Sequence, residues 1–152
     1  MFNSANDTYL ESRVLSADPL ELVRLLYQGA IGAVEDARRY LAEGNILERS
    51  RSISKAGGIL VELMTTLDHA RGGEIANRLA GLYDYMQKRL LDANFQQIDA
   101  PLGEVSGLLM TISEGWAGIG KAAERATAAA SAWSQPLPQE AEANSARRSW
   151  SL

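Results

Sequence analysis

Few residues in this chain could do covalent or metal chemistry, and none of them has a suitable partner nearby in the sequence. The chain has no cysteine and one histidine, His69, which excludes disulfides, thiolate ligands and a metal site built on a histidine pair. Two glycine pairs, Gly57-Gly58 and Gly72-Gly73, lack the lysine that follows a phosphate-binding loop. Carboxylates on predicted solvent faces, at Glu35, Asp36, Asp84 and Asp92, occur singly or at a spacing that indicates no catalytic pair. The sequence therefore predicts no enzyme, no metal site and no cofactor.

His69 offers one specific alternative, a phosphoryl carrier. Histidine phosphotransfer domains are helical bundles with one exposed histidine in the middle of a helix, followed closely by lysine and glycine. Here the pattern places His69 at the end of the second helix, followed by Ala70-Arg71-Gly72-Gly73 without a lysine. Histidine at a helix C-terminus also has an ordinary role, because its charged form interacts favourably with the dipole. A small signalling bundle of the histidine-phosphotransfer type stays as the alternative function.

The charge balance and the absence of long apolar runs exclude several other classes. Nineteen acidic and 15 basic residues give a net charge of −4 and a pI near 5.0, whereas nucleic-acid binding needs a basic face. The first seven residues are polar and acidic, so no secretory signal peptide is predicted. No apolar run approaches the length of a transmembrane helix. We expect a cytoplasmic protein with no nucleic-acid partner and no membrane insertion.

Four amphipathic helices are predicted from apolar residues that recur at steps of three and four. Asp18 is a candidate N-cap and Pro19 suits the first helical position. Gly44 is a candidate stop, and Asn45 with Glu48 resembles a capping box that starts the second helix. The four inner stripes are Val23, Leu26, Ala30, Val34, Ala37 and Leu41; Ile53, Ala56, Leu60, Leu63, Leu67 and Ala70; Ile75, Leu79, Leu82, Met86, Leu90 and Ala93; and Leu102, Val105, Leu109, Ile112, Trp116 and Ile119.

Short connections between these helices predict antiparallel neighbours. The expected fold is all-α: an antiparallel up-down-up-down bundle of four main helices, with no sheet. We assign residues 18–121 to the bundle, 1–17 to an N-terminal cap segment, and 122–152 to an Ala-rich extension and a disordered tail. Trp150 in that tail is either incidental or a weak docking handle. The bundle is expected to be a monomer or a weak homodimer.

The first and third helices carry more apolar and aromatic side chains than their inner stripes need. Gly29 and Gly32 lie inside the first helix, where each glycine costs about 1 kcal/mol relative to alanine. Such glycines are typical of close approach by another backbone. The surplus indicates either an unusually wide core or a partner groove. Its members are Leu22, Leu25 and Gly29 on the first helix, and Tyr83 and Tyr85 on the third.

Several segments, taken in order and spacing, resemble the FliS family of flagellin-specific export chaperones. They are Thr8-Tyr9-Leu10, Ser16-Ala17-Asp18-Pro19, residues 22–31, Lys55-Ala56, Gly72-Gly73-Glu74-Ile75-Ala76, Leu82-Tyr83-Asp84-Tyr85-Met86 and Ala93-Asn94. The resemblance covers about residues 9–116. It implies a bundle that binds the C-terminal segment of flagellin, prevents its premature polymerisation and assists its delivery to the flagellar type III secretion apparatus, without ATP.

The resemblance also implies a location for binding. The candidates for the flagellin groove are Leu22, Leu25, Gly29, Ile59, Tyr83, Met86 and Asn94. Tyr9 and Leu10 are candidates for an N-terminal cap that lies over the groove when flagellin is absent. Components of the flagellar export gate are further expected partners.

Overall fold

The computed structural model describes residues 19–134, which form four α-helices and no strand. The helices are α1 (Pro19–Glu43), α2 (Ile46–Thr65), α3 (His69–Gln96) and α4 (Ala100–Ser134). The predicted all-α fold with four main helices is confirmed. The proposed cap residues Tyr9 and Leu10, the candidate N-cap Asp18 and the tail with Trp150 lie outside the described residues. None of the four helices is both long enough and apolar enough to cross a bilayer.

The connection between α1 and α2 is a tight, fully hydrogen-bonded helix end. Gly44 has a φ of 72°, which glycine adopts without Cβ strain. Its N–H donates to the carbonyl of Leu41 at 3.2 Å, and the N–H of Asn45 donates to that of Tyr40 at 2.9 Å. These are the two bonds of a Schellman motif. Asn45 Oδ1 then accepts from the N–H of Glu48 at 3.2 Å and caps α2. The predicted stop and restart are confirmed.

The boundary between α2 and α3 differs from the prediction. α2 ends at Thr65, and Asp68 is the N-cap of α3, with its side chain accepting from the N–H of Arg71 at 3.1 Å. The expectation that the second helix continues to Ala70 is wrong, because the chain has already turned at the Asp68 cap. His69 is the first residue of α3. Its interpretation as a C-terminal residue that stabilises the helix dipole is therefore wrong.

One hydrophobic core joins the four helices within the unit that ends at Trp116. Three members of the predicted stripes lie outside it: Ala70 is exposed, Ile75 is 69% exposed and Ile119 is 56% exposed. Ile119 belongs to the second unit of the chain, Ala117–Leu152. The buried core residues are Tyr27, Ala30, Ala33, Val34 and Ala37 on α1; Ile53, Ala56, Leu60 and Leu63 on α2; Tyr83, Met86, Leu90 and Ala93 on α3; and Leu102, Val105 and Leu109 on α4.

Polar contacts hold the start of α4 against α1. Arg38 Nε and Nη2 donate to the two carboxylate oxygens of Asp99 at 2.9 Å each, and Ser106 Oγ donates to Glu35 at 2.6 Å. The two contacts run in opposite chain order on the two helices, as in an antiparallel pair. The hydrogen bond from Arg38 lowers the pKa of Asp99. Because the pair is substantially solvent-exposed, such a bridge contributes less than about 1 kcal/mol.

Two tyrosine hydroxyls meet inside the core. Tyr27 on α1 and Tyr83 on α3 are 0% and 1% exposed, and their hydroxyl groups hydrogen-bond to each other. The ring centroids lie 6.4 Å apart with the planes tilted by 54°. Burial raises the pKa of both hydroxyls, so both stay protonated at neutral pH. Since a buried hydroxyl without a partner is costly, this contact restricts how α1 and α3 can face each other.

We expect Tyr27→Phe to lower the free energy of unfolding by about 1–3 kcal/mol, because the hydroxyl of Tyr83 then stays buried without this partner. The double change Tyr27→Phe with Tyr83→Phe should cost less than the sum of the two single changes. Urea denaturation followed by circular dichroism measures both effects. Tyr40→Phe is the control, since that half-buried residue has no hydroxyl hydrogen bond within residues 19–134. Additive losses would contradict a coupled pair.

The two glycines inside α1 differ in their surroundings, and this difference predicts different responses to alanine. No atom lies within 4 Å of a Cβ added at Gly32, whereas a Cβ at Gly29 would meet Ile59 Cδ1 at 3.3 Å. Gly32→Ala should raise the free energy of unfolding by about 0.5–1 kcal/mol. Gly29→Ala should raise it less, because Ile59 must shift. Equal gains in chemical denaturation would mean that the Ile59 side chain moves without cost.

Candidate functional site

One end of the bundle contains an open, mainly apolar pocket, which we call the Trp116 pocket. Its volume is about 320 Å³. The first turns of α1, the connection between α2 and α3, the start of α3 and one side chain of α4 line it. The lining residues are Pro19, Leu20, Val23, Thr66, Asp68, Gly72, Ile75, Ala76, Leu79 and Trp116. Its depth is set by half-buried side chains that also pack against the core, including Val23, Leu79 and Trp116.

The glycine pair at the start of α3 shapes the mouth of this pocket. Gly73 interrupts the helix with φ 49° and ψ −119°, a conformation that a residue with a side chain adopts only under strain. A Cβ added at Gly72 would lie 2.9 Å from the Cβ of Ala76. The two glycines therefore allow a kink between the first turn of α3 and the rest of the helix. Ile75, two residues after Gly73, is exposed and lines the pocket.

Four of the predicted groove residues lie on the adjoining sides of α1 and α2. Leu22 and Leu25 are half-buried, so part of each side chain is accessible. Gly29 and Ile59 approach each other closely, and Ile59 packs against the core. The close approach at Gly29 is therefore made by Ile59 of α2, within the bundle itself. Whether Leu22 and Leu25 contact a partner stays a prediction.

Two other predicted groove residues are buried. Tyr83 is 1% exposed and Met86 is 0% exposed. The expectation that Tyr83 presents its hydroxyl at the surface is wrong, because that hydroxyl is paired with Tyr27 in the core. Tyr85 does lie at the surface, and hydrogen bonding to Glu104 raises its pKa. On this face Arg89 Nε also donates to Glu104, at 2.9 Å.

Asn94, the last predicted groove residue, joins the end of α3 to the start of α2. Its Oδ1 accepts from Arg49 Nε at 3.2 Å and from Ser50 Oγ at 3.1 Å, and its carbonyl accepts from Arg49 Nη2 at 3.4 Å. Arg49 is only 4% exposed. Arg49 lies four residues, or about one helical turn, before Ile53 on the inner stripe of α2. Its position in the sequence could therefore have indicated a buried cation.

Four exposed apolar side chains lie within a few residues of Arg49 and Asn94 on α2 and α3, and we call them the Phe95 patch. Ile46 and Leu47 are 57% and 60% exposed on the first turn of α2, while Leu91 and Phe95 are 66% and 92% exposed on α3. Leu91 and Phe95 are four residues apart, so they share one face of α3, away from the core stripe. The patch lies about 30 Å from Ile75 along α3, at 1.5 Å per residue.

His69 belongs to neither the Trp116 pocket nor the Phe95 patch. It is exposed, and its Nδ1 lies 3.2 Å from Asn77 Oδ1. Within residues 19–134 no group of three or more histidine, aspartate or glutamate side chains could hold a metal ion. The two prominent features of this part of the chain are therefore apolar surfaces, which can bind another chain but supply no reactive group.

Comparison with known proteins identifies the family to which this chain belongs. The sequence model of the family described as "Flagellar protein FliS" matches residues 1–123. The flagellar secretion chaperone FliS of Salmonella typhimurium is 43% identical over 108 residues, which cover 70% of this chain and 80% of the relative. The flagellar secretion chaperone FliSB of Pseudomonas aeruginosa is 41% identical over 110 residues, covering 72% and 87% respectively.

A more distant relative extends this group. The flagellar secretion chaperone FliS of Bacillus subtilis is 30% identical over 108 residues, covering 71% of this chain and 80% of the relative. The predicted family and the prediction that the chain is not an enzyme are confirmed by these matches. The chain belongs to the FliS family of flagellar secretion chaperones.

Proposed function

We propose that this chain is a cytoplasmic export chaperone that binds the C-terminal segment of flagellin. It prevents premature polymerisation of flagellin and assists its delivery to the flagellar type III secretion apparatus, where components of the export gate are further partners. Family membership is the observation that carries this proposal, since relatives up to 43% identical are named flagellar secretion chaperones. The same membership does not favour a phosphotransfer role for His69.

Apolar burial is the main source of affinity in this proposal. The chain carries a net charge of −4, so its overall field does not attract an acidic partner. The Trp116 pocket and the Phe95 patch instead offer apolar area that a partner removes from water. Exposed apolar patches mark interaction sites in soluble proteins.

The half-buried leucines of α1 are the proposed contacts on the side of the bundle beside α2. Leu22 and Leu25 keep part of their side chains accessible. Gly29 and Ile59 support them from within, through their own close contact. Tyr83 and Met86 act from the core, by fixing the shape of the bundle on which flagellin lies.

The test of this function is co-purification with flagellin, full-length and without its C-terminal residues. We expect only full-length flagellin to be retained. Leu25→Ala should weaken binding about thirtyfold, the equivalent of about 2 kcal/mol of lost apolar burial, while helicity by circular dichroism stays unchanged. Val61→Ala is the matched control, because Val61 is exposed and lies two residues, or about 200°, beyond Ile59 on α2. Equal retention of the truncated flagellin would contradict the proposal, and unfolding of Leu25→Ala would assign Leu25 to the core.

We also propose that the N-terminal segment, including Tyr9 and Leu10, covers part of this surface in the free protein. An apolar segment resting on the groove lowers the apparent affinity for the partner by the fraction of time that it is closed. Deleting residues 1–17 should therefore increase binding of an apolar dye to the free protein, and the flagellin C-terminal segment should reverse the increase. Dye fluorescence and peptide affinity are measured separately, because the segment could also contact flagellin. Unchanged dye binding after the deletion would rule out the cap.

A further inference from the structure

We infer that the Phe95 patch, with Arg49 at its base, is a docking surface for an apolar helical segment of flagellin that carries a carboxylate. The inference rests on the proposed function and deepens it, because it states what chemistry the bound segment must have. The carboxylate binds the guanidinium of Arg49, and the apolar side chains of the segment cover Ile46, Leu47, Leu91 and Phe95.

Arg49 is a buried cation whose charge is not balanced within the described chain. The side chain is 4% exposed, yet it makes no ion pair among residues 19–134. Nε and Nη2 donate to Asn94, which is neutral. Nη1 has no hydrogen-bond partner there, but no buried side-chain nitrogen is left unsatisfied, so Nη1 reaches the surface. A buried guanidinium with one free donor edge fits an incoming carboxylate.

The surroundings reinforce the positive potential at this point. Arg49 lies in the first turn of α2, where backbone N–H groups and the helix dipole favour an anion. The carboxylates next to Arg49 and Asn94 in the sequence are paired with other cations: Glu48 with Arg51 at 2.8 Å, and Asp92 with Arg89 at 3.4 Å. A carboxylate brought by a partner therefore finds an unneutralised positive charge.

The apolar side chains around Arg49 favour a partner that excludes water from this contact. Phe95 is 92% exposed and Leu47 is 60% exposed, so both side chains present most of their apolar area to water. Covering them lowers the local dielectric, and this strengthens the pairing between guanidinium and carboxylate. An apolar helix with one acidic residue in its stripe satisfies both requirements, whereas a uniformly apolar helix would leave the charge of Arg49 uncompensated.

The experiment measures binding of the flagellin C-terminal segment to the full-length protein by fluorescence anisotropy. Each aspartate and glutamate of the segment is replaced in turn by its amide, and one further peptide carries a C-terminal amide. Phe95→Ser should weaken binding of the unmodified segment about tenfold or more. Met110→Ser is the matched control, because Met110 is 44% exposed on α4, outside both apolar surfaces.

A double-mutant cycle identifies the carboxylate. One amide replacement should weaken binding about tenfold with the wild-type protein and less than twofold with Arg49→Gln. Asn94→Asp provides a second route that keeps Arg49 in place, because it supplies a carboxylate from within the chain. It should likewise remove the dependence on the carboxylate of the segment.

The possible failures separate the two proposals. Unchanged binding by Phe95→Ser, or the absence of any peptide carboxylate coupled to Arg49, overturns the inference while flagellin binding, and with it the proposed function, remains. No binding of the segment to the wild-type protein overturns both. If Arg49→Gln lowers the helicity, the result with Asn94→Asp decides whether a carboxylate of the peptide binds Arg49.

Discussion

The hydroxyl contact between Tyr27 and Tyr83 is the interaction on which the arrangement of the bundle depends. Apolar contacts tolerate small rotations of one helix against another, whereas two buried hydroxyls satisfy each other only at one relative position of α1 and α3. Trp116 on α4 also packs against the core that contains this pair, and it lines the apolar pocket.

The helices could largely be predicted from the sequence because their signals are local. Gly44 and Asn45 are a helix stop and a cap whose geometry depends only on neighbouring residues, and the structure places them as expected. The start of α3 was misplaced because Asp68 and the glycine pair compete as chain breakers within five residues. The structure has a cap at Asp68 followed by a kink at Gly73.

The exposed surfaces were harder to predict, because the exposure of a side chain depends on how two helices pack against each other. Tyr83 lies on the flank of its stripe and was expected at the surface, but its partner Tyr27 is 56 residues away in sequence and draws it inward. Phe95 is the opposite case. It follows Asn94, one of the predicted groove residues, yet it points away from the stripe and is almost fully exposed. The amide of Asn94 joins two helices, and the neighbouring aromatic ring is left without cover.

The separation of the two apolar surfaces along α3 has a consequence for how a bound chain leaves. About 30 Å lies between Ile75 and Phe95, so a partner that reaches both must supply about 20 residues of helix, or fewer if extended. Each contact then raises the effective concentration of the other, and two modest sites hold the partner far longer than either alone. Detaching one end removes this advantage at once. A competitor that displaces a single end can therefore release the whole segment in steps, without any input of chemical energy.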